Sequence, residues 1–422
     1  MAAHTLTACQ WILLSGCVPA SLYAMLAAVA MPFFAARRGT AAKAAAASAA
    51  GSASDVLAPF AGVGVSVLKP LCGAEPRLYE NLRTFCDQRH GNFQLVLGVS
   101  SPDDPAIAVV RRLQAAYPGH DIELAVDTRV HGSNLKVSNL INMAARARHD
   151  VIVIADSDIA VEADYLDSVA APLADPRVGV VTCLYVAQSV GGFWPRVGAL
   201  FINEWFAPSV RVAHATGSRR FGFGATLALR RATLERIGGF DALKDCLADD
   251  YWLAEHVRAL GLSTVLSRVM VATDVIEPTF SALWQRETRW LRTIRSVNPL
   301  GFASLIITFP TPWLIAGAWL TFGLVNGPFD GVHLWAALAS GTCTAAGFAA
   351  RMLLHLRAAR HERTFWRDLP LVPLRDTLLA FQWLAGAFGS HVMWRGARVP
   401  VVTSASTTRD GALRVMETSD GG

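Results

Sequence analysis

Two aspartates, Asp156 and Asp158, directly follow the apolar run 151–155 and stand one residue apart. Such a run predicts a buried strand, and open α/β sheets bind their ligands beyond the carboxyl ends of such strands. Carboxylates at this spacing can both reach one divalent cation, so a metal-bound diphosphate is the first candidate ligand. The motif is short, however, and a solvated turn after a strand is an equally common meaning.

A second acidic pair, Asp249 and Asp250, opens the helical pattern of residues 249–260. One of these acids could cap the helix, where a carboxylate accepts hydrogen bonds from free N–H groups. Capping explains one acid more easily than two. The other, Asp250, is therefore a candidate general base for an acceptor hydroxyl.

Two arginines and a tryptophan, Arg286, Arg289 and Trp290, lie in the amphipathic segment 279–300, just before an apolar region. Arginines near a membrane surface often meet lipid headgroups, which is one interpretation. In the other, Arg289 clamps a diphosphate while Trp290 packs beside the acceptor. The pattern leaves both open.

Three further polar residues are candidates for substrate binding. Lys136 opens the predicted helix 136–147, where its ammonium could contact an anionic donor; a surface lysine is the alternative. Asp103 and Asp104 follow the second predicted strand. Either could offer a carboxylate to a nucleobase, although Asp before Pro is also ordinary turn and helix-cap chemistry.

Composition limits the class of protein. The chain has 422 residues, of which 53% are hydrophobic and 17% charged. This balance is too apolar for an ordinary soluble enzyme and predicts a soluble domain flanked by membrane segments. Basic residues gather near the apolar segments and form no stripe, which favours a membrane surface over nucleic acid as partner. No cysteine pair has zinc-ligand spacing.

Short apolar runs alternate with helical periodicity over residues 61–278, which predicts an α/β domain with a mostly parallel sheet. The predicted strands are 63–69, 94–99, 122–126, 151–155, 178–185 and 226–230, and the predicted helices are 77–89, 105–117, 136–147 and 249–260.

Before this domain, residues 11–34 are uncharged and long enough to cross a bilayer, so 1–36 is predicted to be a transmembrane anchor. Arg37 and Arg38 follow at once, which places that end of the anchor, and the next domain, in the cytoplasm. Residues 37–60 are rich in alanine and are predicted to be a linker or a partly helical spacer.

After the α/β domain, residues 301–398 form a predicted membrane region of two or three helices. Residues 302–325 and 332–354 are each long enough to span and predict a hairpin. Residues 377–394 could span, re-enter or lie at the interface. A polar tail, 399–422, ends the chain.

The three motifs DSD, LADDYW and RETRW, in this order before membrane segments, resemble the signature of the family 2/family 21 membrane glycosyltransferases. Four segments are similar to ceramide glucosyltransferases: SVLKPLCGAEPRLYENL, VSSPDDPAI, NLKVSNL and VMWRG. The resemblance runs from about Val65 to Arg398. Among bacterial members, the chain most resembles the hopanoid-biosynthesis glycosyltransferases, which transfer N-acetylglucosamine to bacteriohopanetetrol.

The resemblance implies a nucleotide-sugar-binding, GT-A-like domain with roles for particular residues. Asp156 and Asp158 are expected to bind Mg²⁺ or Mn²⁺ and the donor diphosphate. Asp250 is expected to be the catalytic base, and Arg289 with Trp290 to serve the diphosphate and the acceptor.

One position departs from the family pattern. Eukaryotic ceramide enzymes carry their first signature aspartate where this chain has Ser101, so a donor-base role for Asp103 or Asp104 stays open. The glycine-rich stretch 221–226 could line the acceptor mouth or form a plain β-turn.

The implied reaction is an inverting, metal-dependent transfer from a UDP-sugar to a lipid hydroxyl by an integral protein of the bacterial inner membrane. Bacteriohopanetetrol is the expected acceptor and ceramide the alternative. A polysaccharide synthase would need a polymer channel, for which three or four membrane helices are few. A transporter or scaffold could share the hydropathy but leaves the acidic pairs unexplained.

Overall fold

The computed structural model describes residues 6–31, 62–327, 330–359, 362–389, 391–394 and 397–400. An eight-stranded sheet forms the centre of the domain that follows the first helix, with strand order β3-β2-β1-β4-β7-β6-β8-β5. Its strands are β1 (Val65–Pro70), β2 (Phe93–Val99), β3 (Asp121–Val126), β4 (Val151–Ile154), β5 (Ile159–Ala160), β6 (Val178–Ser189), β7 (Leu227–Arg230) and β8 (Ser263–Val275).

The helices before the carboxyl-terminal region are α1 (Ala8–Ala30), α2 (Leu78–Cys86), α3 (Ala106–Ala116), α4 (Leu135–Ala144), α5 (Tyr165–Ala170), α6 (Phe193–Phe201), α7 (Ala207–Ala215), α8 (Arg231–Arg236) and α9 (Asp249–Ala259). Helices α2, α3 and α5 cover one face of the sheet, and α4, α8 and α9 cover the other. Both faces are therefore buried, which explains the nearly continuous apolar runs of β1, β2 and β4.

The predicted α/β class is confirmed, and the sheet is mixed. Strands β1 to β4 pair in parallel, as do β6 and β8, whereas β7 runs antiparallel between β4 and β6. All six predicted strands are present. Sequence patterns missed β5 and β8, because β5 has only two residues and β8 mixes polar with apolar side chains along a partly exposed strand.

The carboxyl-terminal region contains α10 (Phe280–Val297), α11 (Pro299–Ser304), α12 (Pro310–Val325), α13 (Gly331–Ala358), α14 (Glu362–Asp368), α15 (Leu371–Ala387), β9 (His391–Trp394) and β10 (Ala397–Pro400). Strands β9 and β10 pair antiparallel. Helices α1 and α13 are long and apolar enough to cross a membrane, and a third span results if α11 and α12 with the turn between them are counted as one.

Two predicted membrane segments are more complex than one straight helix each. In residues 302–325, the chain bends by 54° between its two helical parts, where Pro310 and Pro312 remove backbone donors. For residues 377–394, whose topology the sequence left open, α15 ends at Ala387 and β9 follows. The predicted linker 37–60 lies outside the described residues, as do 401–422 of the predicted tail.

Candidate active site

The carboxyl ends of β1 and β4 meet at a buried lysine. Lys69, in β1, donates from Nζ to the backbone oxygen of Asp156 at 2.8 Å, and its ammonium stands 3.7 Å from the centre of the Phe85 ring. Burial lowers the pKa of Lys69 to about 7, against the opposing charges of Asp158 and Asp156. This lysine fixes the backbone at the start of the DSD turn.

A second lysine joins both acidic motifs. Lys136, near the start of α4, places Nζ 2.6 Å from Asp156 Oδ1 and 3.6 Å from Asp249 Oδ2. Its side chain is only 12% exposed, which rules out the surface-lysine interpretation. Burial lowers the pKa of Lys136, but Asp156 and Asp249 outweigh it and the net shift is upward, so the ammonium keeps its charge. Asn134 Nδ2 also donates to Asp249 Oδ1, at 3.3 Å.

Asp158 is half-buried near Asp156. Its Oδ2 accepts a 2.7 Å hydrogen bond from Thr273 Oγ1 in β8. Burial first, and then the charges of Asp156 and Glu75, raise the pKa of Asp158 to about 7. The negative charge of Asp156 thus favours protonation of Asp158, and two carboxylates this close form a donor set that a divalent cation would stabilise.

Among the described residues, no group of three or more His, Cys, Asp or Glu side chains could hold a metal ion. Asp156 and Asp158 nevertheless fit Mg²⁺ or Mn²⁺, because Mg²⁺ is typically held by one or two carboxylates together with substrate phosphates and waters. Their assignment as metal ligands remains a prediction.

Asp250 is held by two backbone donors. Its Oδ2 accepts from the Gly224 N–H at 2.8 Å and its Oδ1 from the Tyr251 N–H at 2.8 Å. Burial and the neighbouring Asp249 raise the pKa of Asp250 to about 6, whereas Lys136 opposes the shift. The oriented carboxylate therefore titrates close to neutral pH, as a general base requires.

Gly224 shows how closely the two acidic motifs approach. A Cβ atom built there would lie 3.0 Å from Asp156 Oδ2, 3.3 Å from Lys136 Nζ and 3.5 Å from Asp250 Oδ2. Its loop is a turn, since Thr226 N–H donates to the Phe223 carbonyl at 3.0 Å. The sequence allowed the stretch 221–226 either to line the acceptor mouth or to form a plain turn. In the structure it forms a turn that lies beside the acids.

The two arginines of the RETRW motif, on α10, differ in their contacts. Arg286 pairs with Glu277 at 2.7 Å. The Arg289 guanidinium makes no hydrogen bond or ion pair with the described residues. Burial and the charge of Arg286 lower the pKa of Arg289, while Asp250, Asp156 and Asp249 act in the opposite direction. Arg289 is thus a partly buried cation beside the acids, free to meet an anion.

Trp290 belongs to an aromatic cluster next to the acids. Its ring centre lies 5.7 Å from Phe201, 6.0 Å from Phe206 and 6.2 Å from Tyr185. Burial and the carboxylates of Asp250 and Asp156 raise the pKa of Tyr185 well above its usual value. The cluster provides an apolar wall beside Asp250, and the acceptor role of Trp290 stays a prediction.

Asp103 and Asp104 have different surroundings. Asp104 accepts hydrogen bonds from the N–H groups of Gly73, at 3.0 and 3.1 Å, and of Ala106, at 2.8 Å. Asp103 is exposed, and its N–H donates to Ser101 Oγ at 3.2 Å. Asp104 therefore accepts backbone hydrogen bonds as a turn or cap residue does. A role for either acid in binding the donor base stays a prediction.

The sequence patterns missed Lys69, Thr273 and Tyr185. Lys69 had a usable signal, because a lysine inside an apolar strand must find a partner when it is buried. Thr273 and Tyr185 had none, since threonine and tyrosine are ordinary residues of strands.

Comparison with known proteins decides the family. The profile of glycosyl transferase family 21 matches residues 18–406. The chain belongs to glycosyltransferase family 21. The resemblance indicated by the acidic motifs and RETRW is thereby confirmed.

Two curated relatives are ceramide glucosyltransferases. Ceramide glucosyltransferase 1 of Caenorhabditis elegans is 26% identical over 237 residues, which cover 56% of this family 21 chain and 51% of the relative. Ceramide glucosyltransferase of Pyricularia oryzae is 35% identical over 110 residues, which cover 22% of each protein. The chain thus spans about half the length, or less, of the curated relatives it matches.

Among solved structures, the chain is similar to the mannosyltransferase PcManGT from Pyrobaculum calidifontis in complex with GDP-Man and Mn²⁺. The TM-score is 0.44 and the identity 21%, with 75% of this chain and 86% of that chain covered. GalNAc-T7 with UDP, GalNAc and Mn²⁺ gives a TM-score of 0.38 at 11% identity, covering 56% and 48%.

Proposed function

We propose that this family 21 protein is an inverting glycosyltransferase that moves a hexosyl group from a UDP-sugar to a hydroxyl of a membrane lipid. One observation carries the proposal. Asp156, Lys136 and Asp250 surround the same small space at Gly224. The Arg289 guanidinium interacts with the charges of Asp250, Asp156 and Asp249 and makes no hydrogen bond or ion pair within the described part of the chain. A base, an acidic pair and a free cation are the groups that such a transfer uses.

The proposed chemistry follows from the orientation of these groups. Asp250 takes the proton of the acceptor hydroxyl while that oxygen attacks the anomeric carbon from the face opposite UDP. The bond from that carbon to the diphosphate oxygen breaks, and its electrons remain on UDP. Arg289 stabilises the negative charge that develops there. The Gly224 and Tyr251 N–H groups hold Asp250 throughout.

Asp156 and Asp158 would hold the divalent ion, with Lys136 and Lys69 keeping the DSD turn in place. When bound, Mg²⁺ or Mn²⁺ would neutralise charge on the leaving diphosphate. Removal of the ion with EDTA is expected to stop transfer. Unchanged turnover in the chelator would remove the metal from the proposal.

We propose bacteriohopanetetrol as the acceptor, with N-acetylglucosamine or glucose as the sugar. The resemblance of the chain, among bacterial members of the family, to the hopanoid-biosynthesis glycosyltransferases supports this choice. Ceramide is the second candidate, and the similarity to ceramide glucosyltransferases supports it equally. The two spanning candidates α1 and α13 support a membrane location. We place the site at the inner leaflet of the bacterial inner membrane as part of the proposal, because a cytosolic UDP-sugar would meet a lipid there.

The test is transfer by the purified full-length protein in lipid nanodiscs. Radiolabelled UDP-N-acetylglucosamine and UDP-glucose are each supplied with bacteriohopanetetrol or ceramide, and the products are identified by mass spectrometry. We expect one labelled glycolipid and release of UDP. A ladder of polymer would favour a polysaccharide synthase, and no UDP release with any pair would reject the enzymatic proposal.

A further inference from the structure

A buried acid separates the two arginines of the RETRW motif. The Glu287 side chain, on α10, is 0% exposed and accepts hydrogen bonds from Arg375 Nη1 at 2.6 Å and from Gln382 Nε2 at 2.8 Å. Arg375 also donates to Gln382. Both partners lie on α15, 88 and 95 residues along the chain. Helix α10 is thus bound to α15 by a buried charge pair and by a hydrogen bond from an amide.

Helix α15 has an inside-out pattern. Its buried side carries Arg375, Asp376, Leu379, Gln382 and Gly386. Large apolar side chains occupy the exposed side, where Leu374 is 40%, Phe381 59%, Leu384 51% and Phe388 68% exposed. A helix in water shows the opposite arrangement, so this one fits a helix with its outer side in lipid and its polar groups directed at protein. The polar groups of α15 therefore contact other helices of the protein and not solvent.

Further contacts fix the end of α15 to α10. Arg292 donates to the carbonyls of Phe388 at 3.1 Å and His391 at 2.8 Å, and Arg295 donates to those of Ala387 and Gly389. The last carbonyls of a helix have no partner within it, and cations are favourable there. The two helices are therefore attached in the middle and at one end.

We propose that α15 positions the donor-binding arginines of α10, with Arg375 and Gln382 acting through Glu287. The inference rests on the proposed function, because the Glu287–Arg375 pair is proposed to help the protein bind its UDP-sugar. Glu287 Oε1 lies only 3.5 Å from Arg286 Nη2. With Arg375 in place, the acid is neutralised on the α15 side, so that Arg286 stays paired with Glu277 and Arg289 keeps its place on the same helix near the acids.

The pair can be tested apart from its effect on folding. Removing one partner leaves a buried charge uncompensated, whereas neutralising both partners is often tolerated. The informative variants are therefore the single R375Q and the double E287Q/R375Q. A matched control is R196Q/D368N, which neutralises another largely buried pair, 2.5 Å apart, that joins α6 to α14.

Each protein is measured as full-length chain in nanodiscs for thermal midpoint, for the KM of the UDP-sugar and of the lipid, and for hydrogen exchange of the 280–297 peptide. In the double variant we expect an unchanged midpoint and lipid KM, faster exchange in this peptide and a UDP-sugar KM about tenfold higher. In R375Q the UDP-sugar KM should rise further, because unpaired Glu287 attracts Arg286. The control should keep wild-type exchange and KM values.

A UDP-sugar KM of E287Q/R375Q within about twofold of wild type would overturn the positioning role. So would equal rises in the two KM values, since a general loss of structure affects both substrates. If the wild type itself transfers no sugar, the proposed function has failed. Hydrogen exchange then tests separately whether the pair holds α10 in place. Exchange in E287Q/R375Q equal to wild type overturns that role, and faster exchange supports it.

Discussion

At the scale of single residues, Asp250 combines a fixed orientation with a pKa of about 6. Asp250→Asn keeps the size of the side chain but removes the base. We expect turnover to fall about 10²–10⁴-fold, the usual contribution of a general base. Binding of UDP, measured by calorimetry, should stay near the wild-type value, because Arg289 and the DSD acids are untouched. Near-normal turnover would reject Asp250 as the base.

Gly224 offers a second test that adds a single methyl group. In Gly224→Ala the new Cβ would lie 3.0 Å from Asp156 Oδ2, inside the space that the donor is proposed to occupy. We expect transfer to drop about tenfold or more, because small displacements of reacting groups are costly. The thermal midpoint should change little. Gly119→Ala is the matched control, since its Cβ would meet nothing within 4 Å, and equal activity in both variants would contradict the crowding argument.

The residue types of the site were predictable, and their mutual contacts were not. Acidic pairs at Asp156 and Asp250 are visible as local patterns, because each pair follows or opens an element. The bridging of the pairs by Lys136 depends on α4 and α9 approaching the same edge of the sheet. No local pattern reports such an approach, which arises from packing between distant segments.

At the scale of elements, α13 carries a buried arginine that joins three parts of the membrane region. Arg351 contacts Glu204, in the π-helical turn between α6 and α7, at 2.6 Å, and Asp376, on α15, at 2.9 and 3.0 Å. Thr311, on α12, also donates to Asp376, at 2.6 Å. The sequence predicts residues 302–325 and 332–354 to be a hairpin and leaves 377–394 open, and this network joins α12, α13 and α15 to the turn that carries Glu204.

Arg351→Met should therefore destabilise the protein strongly. The change leaves Asp376 buried with no cation among the described residues, while Glu204 keeps only His355 as a partner. Loss of one partner from a buried pair costs about 3–5 kcal/mol. Thermal unfolding in detergent should show a much lower midpoint. Arg83→Gln, at the exposed pair with Asp87, is the control and should leave the thermal midpoint near the wild-type value, because solvent screens an exposed pair. A similar midpoint for both variants would mean that the network contributes little.

The elements themselves were predicted unevenly. Long apolar segments such as α1 and α13 stand out by length and hydropathy alone. The bend between α11 and α12 was signalled by Pro310 and Pro312, which outweigh the hydropathy of the surrounding residues. The end of α15 at Ala387 also had a local signal in Gly389, which has a positive φ of 88° and is a residue type common just past the end of a helix.

At the scale of the whole molecule, α1 is more than an anchor. It packs against α13 and α12, and Tyr23 shares a 2.6 Å hydrogen bond with Ser209 on α7. Arg357, at the end of α13, donates to the carbonyls of Val29 at 3.1 Å and Met31 at 2.9 Å. The first and last parts of the chain therefore form one helical unit beside the sheet, an arrangement that hydropathy cannot predict.

This unit also allows a test of orientation with native cysteines. Cys9 lies in the first turn of α1, and Cys72 lies just after β1 in the sheet domain; both are exposed. If the amino end faces outward and the site opens to the cytoplasm, a membrane-impermeant maleimide added to intact spheroplasts should label Cys9 and spare Cys72. Both should react once the membrane is opened, and Cys9→Ser and Cys72→Ser identify each signal. Labelling of Cys72 in intact cells would place the sheet domain outside, away from cytosolic UDP-sugar, and would contradict the proposed function together with the topology.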